Sequence, residues 1–427
     1  MSLWPLQFAH AAAAALLDGT WTAAAMTQRL EQTFGVRRAW MKHLARATRD
    51  AFDEPPAWPT LAAWIDEHEP LTFPAREGLV IRRWSLPAPA MAESPWTVPP
   101  LATTKELATW LGLDVPNLIA LADRRSISRN AEPFRRHYRY TWIPKRSGGR
   151  RLLEAPKPRL RTVQRAILDG IVAHIPPHTA AHGFRIGHSV VGCATPHVGH
   201  DVVIRVDLAA FFTSIFRARI AAIFRTAGYP EEVAAFLAAL TTHATPRDVI
   251  QGSEDRIERM RLRTPHLPQG APSSGALSNL AAYRLDVRVA AFAASLDATY
   301  TRYADDLILS GPRSLTRSAP TIVARLGAIA HDEGFTLNFR KTRVMTASDR
   351  QQVTGIVVNE RPSIARGDLD RLRALLHNCI HTGPAVQNRD QHADFRAHLL
   401  GRIAWVASVA PEKGARLRAM FDQIAWP

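Results

Sequence analysis

Residues 302–311 read Arg302-Tyr303-Ala304-Asp305-Asp306-Leu307-Ile308-Leu309-Ser310-Gly311. Two adjacent carboxylates follow an aromatic and a small residue and precede an apolar run. This is the pattern of a tight β-turn presenting acids on top of a buried strand. A third acid occupies a similar apolar frame far upstream, Asp207 in Val202-Val203-Ile204-Arg205-Val206-Asp207-Leu208. An Asp-Asp pair after Tyr-Ala also serves as an ordinary polar turn. The trio together, however, matches what two Mg²⁺ ions need. They sit roughly 3.5–4 Å apart on oxygen ligands, activate a hydroxyl and stabilise a departing pyrophosphate. Carboxylates from separate strand ends suit Mg²⁺, with Mn²⁺ as a substitute, because remaining ligands come from water and substrate phosphates.

The chain has 427 residues, enough for two or three domains with sizeable cores. Lys and Arg number 54 against 38 Asp and Glu, giving a net charge of +16 and a pI near 10.8. That excess favours a polyanionic partner, most simply nucleic acid, although Ala- and Arg-rich composition also follows genome base composition. Two cysteines, Cys193 and Cys379, cannot make a disulfide framework, so a reducing cytoplasm is the expected setting. No stretch approaches about 20 uninterrupted apolar residues, so no membrane span is expected. The Ala-rich start lacks a basic leader and reads as a helix rather than a signal peptide.

Periodic Leu, Ala, Phe and Trp predict an all-α region over residues 1–85. A Pro-rich stretch, 86–102, reads as a linker. Thr103-Thr104-Lys105-Glu106 supplies an N-cap with an acid in the first turn. The two short helices beyond it fit either a helix-turn-helix or a pair that caps a core. YRYTWIP, KRSGG and RRLLEAP, residues 138–156, read as strand, glycine turn and strand, with Lys145, Arg146, Arg150 and Arg151 gathered at one end like a phosphate clamp. Six histidines lie between His174 and His200, but their spacing matches no paired zinc-ligand pattern. From Asp201 onward, helices alternate with strands that carry acids at their ends. This suits a ferredoxin-like palm, an open sheet with helices behind it, in an α+β protein.

Taken in order, these blocks resemble a reverse transcriptase over roughly residues 103–360. The resemblance implies a right-hand polymerase fold, with fingers at 103–200, palm at 201–360 and a helical thumb at 361–427. Val206-Asp207-Leu208-Ala209-Ala210-Phe211-Phe212 resembles motif A. It implies that Asp207 holds both metals and that Phe212 is the steric gate, a ring leaving no room for a 2′-hydroxyl. One of Phe211 and Phe212 must be a core residue. LPQGAPSSGALSNL, from Leu267 to Leu280, resembles motif B. There Gly270 permits close backbone approach, and Gln269 contacts the incoming nucleotide and its template partner. Tyr303-Ala304-Asp305-Asp306 matches motif C, with Asp305 the second direct metal ligand and Asp306 a supporting carboxylate. GFTLNFRKTRV resembles motif D and implies Lys341 near the triphosphate. The basic hairpin resembles the fingers motif, implying Lys145 and Arg150 or Arg151 as dNTP ligands.

Val353-Thr354-Gly355 resembles the triplet typical of retron enzymes, and LLGRIAWVASVAPEKGARLRAMF is similar to their thumb. Retrons tend to carry Asn-Ala-x-x-His before motif A; here Cys193-Ala194-Thr195-Pro196-His197 keeps Ala194 and His197 but not the Asn. Ala210 likewise replaces a usual polar residue. The retron resemblance implies recognition of a structured non-coding RNA, with Val353, Thr354, Gly355 and His197 as recognition residues. It further implies copying of that RNA into branched single-stranded DNA from a guanosine 2′-hydroxyl, and anti-phage defence alongside an effector protein. The rival expectations are a group II intron-like or other defence-type reverse transcriptase, and a non-catalytic RNA-binding protein of polymerase-like shape.

Overall fold

The computed structural model describes residues 5–68, 79–84, 89–145 and 148–426. Arg146 of the hairpin turn and Leu86, Pro87 and Ala88 of the Pro-rich stretch lie outside the described residues. The chain divides into two compact units, Met1–Ala90 and Met91–Pro427.

In the first unit, helices Pro5–Leu17, Ala23–Phe34, Ala39–Ala51 and Trp58–Glu67 enclose a core of Phe8, Leu16, Met26, Leu30, Phe34, Met41, Leu44, Leu61 and Ile65. Helix Ala23–Phe34 starts on the Thr22 side chain and ends on Gly35, which takes φ 67°. This is the all-α region expected from periodicity.

The second unit begins inside the predicted linker. Met91, Trp96, Val98 and Leu101 pack on its main core, and the Ala92 amide donates to the Gly228 carbonyl. Residues 91–101 are therefore part of that unit, because Trp96, Val98 and Leu101 offer apolar surface that a solvated spacer would not. Thr103 and Glu106 form the expected capping box. The two following helices bury Leu107, Leu118 and Leu121 in the same core, which favours capping over a free helix-turn-helix.

Strands β1 (Tyr138–Pro144) and β2 (Arg150–Pro156) form the basic hairpin. The palm sheet contains β3 (Val202–Asp207), β4 (Thr299–Tyr303), β5 (Asp306–Gly311) and β6 (Arg343–Thr346), in the order β4-β5-β3-β6 with every pair antiparallel. Helices link β3 to β4, a two-residue turn links β4 to β5, and helix Leu315–Asp332 links β5 to β6. This is the ferredoxin-like arrangement. Side chains alternate across the sheet. Val202, Ile204, Val206, Leu307 and Leu309 meet the helices, whereas Val203 and Ile308 join a second core with Leu372, Leu376, Leu399 and Ile403. The latter four lie on helices Arg366–Thr382 and Phe395–Val409 of the helical C-terminal region. Among the described residues, no helix is long and apolar enough to cross a membrane.

Candidate active site

Strand register brings the acids together. Asp207, the last residue of β3, pairs across the ladder with Asp306, the first of β5. Opposed residues in an antiparallel pair share a face, and here it is the face that carries Val203 and Ile308, opposite Val206 and Leu307. Asp305 occupies the turn between β4 and β5, where Tyr303 pairs with Asp306. A backbone bond ties the Asp305 turn to the end of β3, with Leu208 N–H donating to the Asp305 carbonyl at 2.8 Å, and Asn338 N–H, from the segment that carries Lys341, donates to the Asp207 carbonyl at 2.7 Å.

Their charges are unequally balanced. Asp207 accepts from Lys341 Nζ at 2.8 Å. Asp306 accepts from Arg205 Nε at 3.0 Å and Nη2 at 2.8 Å. Asp305 has no ion-pair partner among the described residues. Burial, with Asp207 and Asp306 nearby, pushes its carboxyl up to about 6. Burial also raises Asp306, against the pull of Arg205. Three oxygen-donor carboxylates thus meet two side-chain cations, and a set short of positive charge fits hard divalent ions.

The other residues expected from the sequence lie on the segment after β3, on the loop before helix Ser274–Ala281 and on the β1–β2 hairpin. Phe211 is buried against Phe335, with ring centroids 5.6 Å apart, so it is the core member of its pair. Phe212 is only partly buried, in the short 3₁₀ turn Phe212–Ser214 that follows Ala210 at φ 51°. The Gln269 carbonyl accepts from Glu154 N–H at 2.8 Å, which joins the motif B loop to β2. Gly270, at φ 129°, fits there because a Cβ would stand 2.9 Å from Leu153 Cδ1. Lys145, Arg150 and Arg151 are all exposed. Neighbouring strand residues face opposite sides, so Arg150 and Arg151 cannot line one cleft. Arg151 shares the face of Leu153, toward Gly270, whereas Arg150 lies 5.6 Å from the Trp142 ring on the other side.

A protein-family model described as "Reverse transcriptase (RNA-dependent DNA polymerase)" matches residues 143–358, a span containing all three acids, Gln269 and Lys341. The retron Mx65 reverse transcriptase of Myxococcus xanthus is 39% identical over 328 residues, covering 75% of this chain and 71% of the relative. The retron Mx162 reverse transcriptase of the same organism is 34% identical over 338 residues, covering 76% and 67%. This chain belongs to the retron-type reverse transcriptases. The retron Ec86 reverse transcriptase of Escherichia coli is also similar, at 28% over 285 residues, 66% of this chain and 79% of the relative. The chain is accordingly an RNA-directed DNA polymerase.

Two of the expected RNA-recognition residues of this reverse transcriptase point inward, which corrects that expectation. His197 is fully buried, with Nδ1 2.7 Å from Ser310 Oγ and Nε2 2.7 Å from Thr301 Oγ1. Burial takes its imidazole down to about 3, so it is neutral. Val353 is likewise buried, in the second core. Thr354 and Gly355 retain exposure, with the Thr354 hydroxyl bonded to the Val190 carbonyl. Cys193 packs in the same core, its Sγ 3.3 Å from Thr301 Oγ1, and burial raises the thiol to about 11. It is a packing residue where the resemblance would have an Asn.

Three features of the reverse transcriptase site escaped the sequence reading. Arg302, immediately before the motif C quartet, is fully buried and forms a bidentate pair with Asp286 at 2.7 and 2.6 Å. Its Nη1 donates to Asn279 Oδ1 at 3.1 Å and to the Ala304 carbonyl at 3.0 Å. It thereby braces the turn, whose Ala304 takes φ 55°. An arginine within the strand-forming run Thr299-Tyr300-Thr301-Arg302-Tyr303 was the available signal. Behind the motif B loop, Glu154 accepts from His243 at 3.0 Å, His266 at 3.0 Å and Thr245 at 2.7 Å. These three acid and imidazole side chains converge as metal ligands do. However, His266 Nδ1 also faces the Thr264 carbonyl at 2.7 Å. With an acceptor on each nitrogen, His266 must carry both protons. Burial alone would raise the Glu154 carboxyl, but the two imidazoles hold it well below its usual range, while Glu154 raises His266. The third feature is Phe184, which contacts the Phe212 ring.

Proposed function

We propose that this reverse transcriptase copies a structured non-coding RNA of its own locus into single-stranded DNA that stays joined to the RNA through a branch. Synthesis starts at the 2′-hydroxyl of one guanosine, and the product serves anti-phage defence with an effector protein. The observation that carries the catalytic part is the pairing of Asp207 with Asp306 across the sheet, with Asp305 in the adjoining turn beside them and lacking an ion-pair partner. Similarity to the Mx65 and Mx162 retron enzymes supports the choice of RNA and priming mode.

In this reading Asp207 and Asp305 hold two divalent ions, Mg²⁺ or Mn²⁺. Bound there, such ions lower the pKa of the attacking hydroxyl and offset charge on the leaving pyrophosphate. Asp306, engaged by Arg205, supports the field without ligating directly. Lys341 balances Asp207 and lies at the acid cluster, placed to meet the triphosphate. Arg151 and Lys145 bind triphosphate oxygens from the fingers, Gln269 sits against the nascent pair, and Phe212 excludes a ribose 2′-hydroxyl. The exposed Thr354 and Gly355 contact the RNA. The basic excess of the chain predicts RNA affinity that falls steeply with salt as counterions are released.

The test incubates purified protein with locus RNA, dNTPs and Mg²⁺ and examines the DNA for a branch sensitive to RNase. Asp305→Asn is expected to abolish incorporation while keeping the unfolding midpoint, since it removes a carboxylate already short of a counter-charge. Normal extension by that variant would overturn the site. Linear DNA alone from the wild type would overturn the priming mode.

A further inference from the structure

Phe184 is 52% exposed, yet its backbone takes φ 58°. A bulky residue in the left-handed region is rare and persists where its surroundings fix it. Here they do. The His182 amide donates to the Arg302 carbonyl at 2.8 Å, Asn279 Nδ2 to the Gly183 carbonyl at 2.7 Å, and Arg185 Nη1 to the Ala181 carbonyl at 2.8 Å. Gly183 approaches the acid-bearing turn so closely that a Cβ would stand 2.9 Å from the Ala304 nitrogen. The segment is therefore tied to β4, to the motif B helix and to the turn itself.

What it presents is an aromatic ring beside the gate. The Phe184 and Phe212 centroids are 5.9 Å apart with planes at 66°, and Phe212 meets Phe211 at 5.6 Å and 64°. Phe212 thus stands between one ring fixed in the core and one held at the surface. Phe184 occupies the space over Gly275, where a Cβ would come 2.5 Å from its Cγ. An exposed phenylalanine on a strained backbone, outside the apolar cores, gives folding little in return.

We propose that Phe184 is a positioning residue for sugar selection. It fixes the Phe212 ring in the orientation that excludes a 2′-hydroxyl, and Gly275 is the residue that lets it sit there. This rests on Phe212 being the gate. An edge-on aromatic contact is worth a factor of roughly 2–10, so losing it should lower the preference for dNTP over rNTP by up to about tenfold.

The experiment measures kcat/KM for single dNTP and rNTP additions, together with the unfolding midpoint. The variants are Phe212→Val, Phe184→Ala, Phe184→Leu, Gly275→Ala and the Gly275→Ala/Phe184→Ala double. Phe212→Val should cut selectivity most. Phe184→Ala should cut it up to about tenfold, mainly by improving rNTP use, and Phe184→Leu should fall between Phe184→Ala and wild type. Gly275→Ala should reproduce Phe184→Ala, and the double should be no worse than either single, because the added methyl then enters vacated space. If Phe212→Val lowers selectivity while Phe184→Ala and Phe184→Leu leave it unchanged, the gate stands and the role of Phe184 is overturned. Equal losses for both nucleotides with a lower midpoint would make Phe184 merely structural, and also overturn it. If Phe212→Val itself leaves selectivity unchanged, the gate reading fails, and the proposal with it.

Discussion

Asp286→Asn tests whether the buried brace under the motif C turn matters to catalysis. Arg302 and Asp286 are both fully buried, and the guanidinium donates four hydrogen bonds, two to Asp286 and one each to Asn279 and the Ala304 carbonyl. Asparagine keeps the shape and one acceptor oxygen but leaves a full positive charge in the core without a counter-charge. Breaking a buried pair from one side costs about 3–5 kcal/mol. A unit of about 340 residues has an unfolding entropy near 0.7 kcal/mol/K. The midpoint should therefore fall by about 4–7 °C, read by calorimetry. Relief of the stranded charge pulls Arg302 off the Ala304 carbonyl and loosens the residue before Asp305. A misplacement on the order of 1 Å at a reacting centre costs about 100-fold, so single-turnover incorporation, measured well below the midpoint, should drop by that order. The double change Arg302→Met/Asp286→Leu separates the two effects. An apolar pair restores most of the stability, yet the Ala304 carbonyl and Asn279 still lack their donor, so the rate should stay low. Recovery of both stability and rate would refute the brace, as would an unchanged midpoint in Asp286→Asn.

Two other outcomes follow from groups behind the site. His197→Ala takes the imidazole partner from the buried Ser310 hydroxyl, leaves Thr301 only its 3.3 Å contacts to Cys193 and opens a cavity, which should cost about 3 kcal/mol by urea unfolding. RNA affinity measured while the protein is folded should not change; a loss of affinity without a loss of stability would contradict the inward placement. For Glu154 and His266, the directions set a pH window. Glu154 titrates below its usual 4.5, so its stabilisation is present above that pH and is lost as pH falls through the lowered value. His266 titrates above its usual 6.5, so its stabilisation is complete below 6.5 and is lost as pH rises through the raised value. The stability gap between wild type and Glu154→Gln should therefore be widest at pH 4.5–6.5 and narrow above it; a gap that grows above pH 7 would sink the charged-pair assignment.

The palm was legible because its signals are local. Apolar strands ending in acids, a two-residue turn and the Pro-Gln-Gly loop each depend on a few adjacent residues, and their order fixed the topology. What stayed hidden depends on residues far apart in the chain. Nothing near Glu154 announces His243 or His266, which lie 89 and 112 positions away. Arg302 stood beside the decisive motif, but its partner Asp286 comes from a helix, and only packing reveals that an arginine can be buried there. His197 was expected to meet RNA because Ala194 and His197 match part of the Asn-Ala-x-x-His pattern of retron enzymes, and a polar histidine is more often exposed than fully buried. The strand hydroxyls of Thr301 and Ser310 give both its nitrogens partners, and that pairing overrides the usual tendency.

The same ladder that places the acids also makes Asp305 and Asp306 different, although they are neighbours in sequence. Arg205 and Asp207 are two residues apart on β3, so both point to one face. Asp306 lies opposite Asp207 and diagonal to Arg205, within reach of a long side chain. The register therefore neutralises Asp306 from within the sheet, through the two bonds of the Arg205 guanidinium. Asp305 has left the ladder for the turn, where no strand neighbour can supply a cation, and its backbone is instead set by Arg302 through Ala304 and by the Leu208 amide. One carboxylate is thus compensated by the fold, while the other is held rigidly and left to be compensated by something that binds. A turn serving only to reverse the chain would have no reason to keep a half-buried carboxyl unpaired, with an internal ion pair fixing the residue before it.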